Sequence, residues 1–355
     1  MKQVLKALAL FVFSLSAKAA SVDHQPTVSE LTHAIEHNQR LHQLAQDSGI
    51  ELQASTLQPV PDTSNFSYVL MSADEEESSE VQNLRKTIAQ NLPQGVRLVI
   101  LSSEDDKERM LKKYSTWIDP TRLILATDSD GDVYNGFWAR DSFPVPVFNV
   151  ATKTYELAET QYFRDFRSGP AVAKAVHGRL TQSSMVFVGG NLLADEDGNC
   201  FSVNSERLFD MSSNDFKKIF GCRQWHSLPH VAGIGDVDEV LKPLTGKRIL
   251  TNQVSYKAKL EGLGYQVIML PALNGTNRTY ANTLIVGQTV FMPAYGVPED
   301  QKAIHVYESL GYHVIPITSN FLSDQMDGSI HCQTMAYPEM DASLLMKKLG
   351  LKQLR

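Results

Sequence analysis

The chain has 355 residues, 43% of them hydrophobic and 21% charged, with a formal net charge of -7. That is ample material for a core, and it excludes a disordered or low-complexity chain. An acidic balance excludes the basic surface that binds nucleic acid or anionic lipid, and it suits a cationic substrate.

The start of the chain reads as a cleavable export signal. Lys2 and Lys6 form a basic region, Ala7 to Leu15 is apolar, and Ala17-Lys18-Ala19 is a small-x-small cleavage site. The apolar run is shorter than the ~20 residues that a bilayer-spanning helix needs. Removing Lys2, Lys6 and Lys18 takes the net charge from -7 to -10. The expectation is a secreted or periplasmic chain with residues 1–19 as signal peptide and no membrane partner after processing. Residues 20–65 are expected to form an N-terminal helical extension. Residues 66–355 are expected to form one catalytic domain, because no Ser/Gly/Pro tract divides them.

A helix is predicted over about 27–48, where Val28, Leu31, Ile35, Leu41 and Leu44 form a loose stripe and Thr27 or Ser29 can cap it. The acidic patch from Asp74 to Glu80 marks the solvated start of a helix from Glu80 to Leu92, with Val81, Leu84, Ile88 and Leu92 on one face. Short strands and helices then alternate. Strands are predicted at Tyr68 to Met71, Leu98 to Leu101, Leu123 to Ala126, Val145 to Asn149 and Met185 to Val188. Further strands follow at Ile249 to Asn252, Val267 to Leu270, Leu284 to Val286, Val290 to Met292 and His313 to Ile317. Helices are predicted at Glu104 to Tyr114, Gly169 to Leu180, Val237 to Leu244, Tyr256 to Leu263, Pro298 to Leu310 and Ala342 to Leu349. Two stretches, "LEGLGYQVIMLPAL" and "YESLGYHVIPITSN", both run from a helix end through Leu-Gly-Tyr into a buried strand. The alternation allows a doubly wound sheet, whereas repetition of one unit points to a circular array of modules. Periodicity leaves both open.

Export places the three cysteines in an oxidising compartment. Either Cys200 and Cys222 pair and leave Cys332 odd, or none pairs. Cys332 stands in Gly328-Ser329-Ile330-His331-Cys332-Gln333-Thr334. It is either a buried structural thiol or a nucleophile, which needs a lowered pKa or a nearby base. His331 would point to the opposite face if the segment were an extended strand. Asp141 follows Arg140 among Phe137, Trp138, Phe143 and Pro144. It is either half of a surface ion pair or a carboxylate in a rigid wall, able to grip a guanidinium through two hydrogen bonds. Asp236 and Asp238 lie at a strand-to-helix turn, where capping explains one of them but not both.

Other motifs read as architecture. Asp128 to Asp132 lacks the closing Glu of a calcium loop and is a plain turn. Gly189-Gly190-Asn191 and Asp195 to Gly198 form a strand end and a hairpin turn, without a dinucleotide fingerprint. No Cys/His cluster has zinc spacing, so no metal or cofactor is expected. Asn65, Asn274 and Asn277 lie in glycosylation sequons.

Taken in order, these stretches resemble the guanidino-group-modifying enzymes, in particular agmatine deiminases and bacterial-type peptidylarginine deiminases, over about residues 66–340. "WARDSFP" is similar to Trp-x-Arg-Asp-x-Gly-Pro, and "VGGNLLADEDGNCF" to Glu-Gly-Gly…Asp-Gly-x-Gly. "GDVDEVL" resembles Gly-His-Val-Asp-Glu-Phe-Leu, and "YANTLIVGQTVFMPAYGVPED" the Tyr-x-Asn…Val-x-x-Pro-x-Tyr-Gly segment. "GSIHCQTM" resembles Gly-x-x-His-Cys-x-Thr. The resemblance implies a pseudo-symmetric α/β propeller of five strand-helix modules, the pentein type. It implies that Cys332 attacks the guanidinium carbon while Asp141 and Asp238 hold the nitrogens. Asn282 contacts substrate or backbone, and Trp138 and Arg140 belong to the substrate-binding motif. Ammonia leaves, a thiouronium forms, and water releases the ureido product.

The chain departs from this pattern twice. Asp236 stands at the family's proton-handling His, and Val188 at its acidic residue before Gly-Gly. Asp236 would then handle protons, best at acidic pH where like charges raise a carboxyl. Alternatively His226 or His230 folds back into the site. The expectation is an exported deiminase of peptidylarginine or agmatine. The alternatives are a non-catalytic guanidinium-binding relative and an amidinotransferase. The expected partner is an arginine-like small molecule or arginyl peptide, not nucleic acid.

Overall fold

A hairpin followed by a helical crossover is the unit from which this fold is made. The computed structural model describes residues 25–48, 55–73, 78–128, 136–164, 166–273 and 277–341. The leader expected over residues 1–19, the acidic residues 74–77, most of the turn from Asp128 to Asp132, Asn274 and the helix expected from Ala342 to Leu349 lie outside the described residues.

Among the described residues, five separate sheets of three or four strands are formed. In the first, Val145–Asn149 and Thr154–Gln161 pair antiparallel, the helix Gly169–Val176 crosses over, and Arg179–Val186 returns parallel. The second repeats this with Leu193–Ala194, Asn199–Asn204, the helical segments Ser213–Asp215 and Phe216–Phe220, and Gln224–Pro229. The third uses Leu241–Leu244, Arg248–Thr251, the helix Val254–Gly262 and Gln266–Met269. The fourth uses Leu284–Val286, Thr289–Ala294, the helix Pro298–Ser309 and His313–Thr318. The fifth joins both ends of the chain. Met335–Tyr337 pairs antiparallel with Tyr68–Ser72, and the helices Ser79–Asn91 and Lys107–Tyr114 lead to the parallel strands Arg97–Ser103 and Leu123–Asp128. Tight turns cannot join parallel strands, so each parallel pair needs its crossover.

The repeated Leu-Gly-Tyr works alike in both copies. Gly264 and Gly311 adopt φ of 90° and 92°, a region that favours glycine. The amides of Tyr265 and Tyr312 then bond back to the Leu260 and Tyr307 carbonyls, closing each helix before its strand. Apolar faces supply the cohesion. Val81, Leu84 and Ile88 of one helix are buried against Leu98 and Ile100 of the strand that follows, each fully buried side chain worth ~1.5–3 kcal/mol over an exposed one.

The helix Val28–Asp47 forms as expected, with Thr27 and Glu30 in a reciprocal cap. The helix and the residues after it are bonded into the body of the fold. Asn38 is buried and bonds the backbone of Val186 and Phe209. Leu57–Pro59 extends the first sheet beside Val145–Asn149.

Two expected helices are corrected. Val237 to Leu244 is a short 3-10 turn, Val237–Glu239, followed by the strand Leu241–Leu244. Pro243 cannot sit inside a helix but is tolerated on an edge strand. Asp236 stands at the N-cap position of that turn without a side-chain capping hydrogen bond, and Asp238 lies inside it, so neither acts as a cap. The helix from Gly169 ends at Val176, where His177 turns left-handed, and Arg179 already starts a strand. Strands with a polar or short sequence, including Thr154–Gln161, Asn199–Asn204, Gln224–Pro229 and Met335–Tyr337, were not anticipated.

Cys200 and Cys222 form a disulfide across 22 residues, and Cys332 is free and buried. The bridge ties the central strand of the second sheet to the segment entering its last strand. Replacing both cysteines by serine is expected to lower unfolding stability by about 2–4 kcal/mol. Urea denaturation of the oxidised wild type and the double variant measures this. An unchanged midpoint would show that the bridge constrains nothing.

Candidate active site

Cys332 lies in a turn over residues 330–333, not in an extended strand. This corrects the expected direction of His331, because a turn brings neighbouring side chains to one side. His331 Nδ1 lies 2.6 Å from Asp238 Oδ2, and Cys332 Sγ lies 3.7 Å from the same oxygen. Asn282 fastens the turn. Its Oδ1 accepts the His331 amide at 2.8 Å, and its Nδ2 donates to Cys332 Sγ at 3.1 Å. The surrounding motif residues hold Asn282 in place. Tyr280 donates to Asp300, which also accepts the amides of Tyr295 and Gly296, and Tyr307 donates to the Tyr280 carbonyl.

Trp138 to Ser142 folds as a single helical turn, Ala139–Ser142. The Arg140 amide donates to the Cys332 carbonyl at 3.0 Å, and Gln333 Nε2 donates to the Phe137 carbonyl, so this turn and the thiol loop are one unit. The Trp138 ring stacks edge-on to Phe137 within an apolar cluster. It supports the wall behind the carboxylates. The Gly189-Gly190 step is explained by close approach. A Cβ on Gly189 would lie 2.2 Å from the Arg140 carbonyl oxygen, and one on Gly190 2.7 Å from Asp141 Oδ1. The Gly190 amide instead donates to that oxygen at 3.0 Å.

Asp236, Asp238 and Glu239 are buried on the turn Val237–Glu239. Asp236 does not face a reacting group. Its Oδ1 pairs with Arg207 Nε at 2.8 Å, and Arg207 Nη2 pairs with Asp141 Oδ2 at 2.6 Å. Arg207 is buried on the turn Glu206–Leu208. Burial alone would favour its neutral form, but Asp236 and Asp141 outweigh this and hold it charged. His226 and His230 do not fold back. His226 sits on the strand Gln224–Pro229 beside Phe201, and His230 is exposed next to Gly235.

An outer layer of charge closes the site. Asp62 Oδ2 meets His331 Nε2 and Lys242 Nζ, each at 2.8 Å, and Arg140 Nη1 lies 3.6 Å from Asp62 Oδ1. Burial works to raise the Asp62 carboxyl, yet Lys242, His331 and Arg140 prevail and hold it well below the usual range. Burial lowers the Lys242 ammonium despite Asp62. The small cavity beside Asp62, Arg140 and Gly189 measures about 20 Å³, room for one water. Burial first, then the charges of Asp238, Glu239 and Asp141, push the Cys332 thiol well above its ordinary value. Burial and the neighbouring aspartates likewise keep Glu239 protonated well above the usual carboxyl range. The structure thus unites Cys332, Asp238, Asn282, Asp141, Asp236 and Arg140 in one buried cluster. Arg207, Asp62, Lys242 and Glu239 join them without having been singled out from the sequence. Among the described residues no cluster able to hold a metal is found.

Residues 246–338 match the family model for Porphyromonas-type peptidyl-arginine deiminase. That segment contains Asn282, His331 and Cys332, and it excludes Asp141, Asp236 and Asp238. No curated protein sequence matches the chain. The fold is similar to that of C. jejuni agmatine deiminase, at 15% identity and a TM-score of 0.65, covering 86% of this chain and 100% of that one. It is also similar to that of the agmatine deiminase of Enterococcus faecalis, at 14% identity and a TM-score of 0.66, covering 82% of this chain and 99% of that one. The resemblance to the guanidino-group-modifying group read from the motifs is borne out by the matched segment and the shared fold.

Asp62 supplies the test of the outer layer. Its folded carboxyl is depressed, so its stabilisation is present above the unfolded value near 3.8 and is lost as pH falls through the folded value. Asp62→Asn strands the buried Lys242 and is expected to cost about 3–5 kcal/mol at neutral pH. The gap to wild type should narrow below about pH 4. Denaturant titrations at both pH values decide it, and equal stability at neutral pH would remove Asp62 as the counter-charge.

Proposed function

We propose that this chain is an exported deiminase-type hydrolase acting on arginine-type guanidinium groups, peptidylarginine first and agmatine second, with Cys332 as the attacking sulfur. The observation that carries the reading is the convergence on one thiol. Asp238 lies 3.7 Å and Asn282 3.1 Å from Cys332 Sγ. Asp141 stands on a turn bonded to the Cys332 carbonyl. The names of the structural relatives, agmatine deiminases, and of the matched family agree with that chemistry. Five hairpin-crossover units, the last sharing strands from both chain ends, support a closed propeller around this cluster. The Lys2 to Ala19 leader pattern and the Cys200–Cys222 disulfide support export.

In this mechanism a guanidinium is held by Asp141 and Asp238 with its carbon over Cys332. The resting thiol is neutral because burial and carboxylates oppose a second negative charge. An arriving cation reverses that local field and favours the thiolate. Sulfur adds to the carbon, the thiol's proton passes to one amino group, the C–N bond breaks to release ammonia, and the C–S bond of the thiouronium remains. Water then adds to this carbon and the sulfur departs, releasing the ureido product and restoring the thiol.

A second reading, a non-catalytic relative, is favoured by one observation. Asp236, at the position of the family's His, is committed to Arg207. General acid-base help is worth ~10²–10⁴-fold, and a carboxylate in an ion pair supplies little of it near neutrality. The test measures ammonia and ureido product from arginyl peptide, agmatine and arginine between about pH 5 and pH 8, with and without an amine acceptor to detect amidino transfer. Wild type should turn over at least one substrate, and Cys332→Ala should retain under ~1% of the rate. Absence of product from folded protein at every pH leaves the non-catalytic reading.

A further inference from the structure

We propose that the Asp141–Asp236 carboxylate pair is a guanidinium site that the chain fills with its own Arg207, which makes this side chain a tethered competitor of any guanidinium substrate. The proposal rests on the reading of the cluster as a guanidinium site, and it names what regulates access to it.

The geometry is that of a bound alkylguanidinium. Two different nitrogens of Arg207 meet two different carboxylates, Nε with Asp236 at 2.8 Å and Nη2 with Asp141 at 2.6 Å. A planar fork matched to carboxylates is what makes such contacts selective for guanidinium over ammonium. Gly190 forms the floor, because a Cβ there would lie 2.7 Å from Asp141 Oδ1 and 3.0 Å from Asp236 Oδ2. The turn that carries Arg207 is anchored by Ser205, whose hydroxyl accepts the Arg207 amide and donates to the Gly235 carbonyl at 2.8 Å. This delivers the side chain to the turn bearing Asp236.

A second observation shows that the cluster still has an acceptor for a cation. Asp238 Oδ1 is buried without a hydrogen-bond partner. Such a group is costly to leave unpaired. One side of the cluster is therefore satisfied in cis by Arg207, while the side nearer Cys332 has an unmet acceptor. A substrate guanidinium that reaches Asp238 meets Asp141 already engaged. It must then share or displace a group whose effective concentration is fixed by its tether, in the ~mM range for short tethers.

The test uses the full chain, with methylguanidinium and agmatine as probes and tetramethylammonium as the control cation. Thermal unfolding and calorimetric titration report binding. Wild type should show no saturable binding below ~1 mM probe. Arg207→Ala should be stabilised by several degrees by methylguanidinium at about that concentration and unaffected by tetramethylammonium. If Arg207→Ala does not fold alone, refolding restored by methylguanidinium supports the proposal, and refolding that it does not restore overturns it. Saturable probe binding by wild type below ~1 mM also overturns it, whatever the variant does. Turnover separates this proposal from the catalytic one. Rescue of binding in Arg207→Ala with no product from any protein sinks the deiminase reading alone. Wild-type turnover that half-saturates below ~1 mM substrate sinks the occupied-site proposal alone. If both hold, Arg207→Ala should lower the half-saturating substrate concentration by ~10-fold or more.

Discussion

Carboxylates gathered where water is scarce must be matched by cations, and the centre of this molecule is organised around that match. Asp141 and Asp236 share Arg207, while Asp62 meets Lys242, Arg140 and His331. The partners come from far apart in the chain. Arg207 follows the central strand of the second sheet, Lys242 lies on the first strand of the third, and His331 precedes the strand that completes the fifth. The ion pairs therefore join units that share no backbone ladder. Buried pairs of this kind contribute little net stability over apolar packing, but breaking one is severe. Their effect is to fix which turns face which.

The motifs divide into those that place backbone and those that place chemistry. Gly189 and Gly190 are there because the Arg140 carbonyl and the Asp141 carboxylate pass too close for a side chain. Tyr280, Tyr295 and Asp300 form a scaffold whose product is the position of Asn282. Cys332, Asp238 and Asp141 are the groups on which the proposed chemistry rests. At the position where the pattern has a histidine, this chain has an aspartate whose charge is met by an arginine from another turn.

The α/β class, the Leu-Gly-Tyr repeat and the motif around Cys332 were legible from the sequence because each is a local pattern. The helix expected from Val237 was misread because its apolar spacing suits either period, and only Pro243 argued against it. Gln224–Pro229 is a strand because a neighbour offers a ladder, and no property of Gln, His or Ser announces that. Arg207 and Asp62 were invisible for a deeper reason. Arg207 lies 66 residues from Asp141, and Asp62 lies 269 from His331. A single sequence says that a buried charge needs a partner, not which one closes the distance. His331 was set aside on the assumption of an extended backbone, and a turn reverses that geometry.

The strand Met335–Tyr337 lies three residues beyond Cys332 and docks on Tyr68–Ser72, near the other end of the chain. In a polypeptide made from its N-terminus, this strand is among the last to emerge. Cys200 and Cys222, 22 residues apart, are both out long before Cys332. The two early thiols can close on each other with no third thiol to compete. In the folded chain the two early cysteines carry the structural bond, and the late one is the free thiol enclosed among carboxylates.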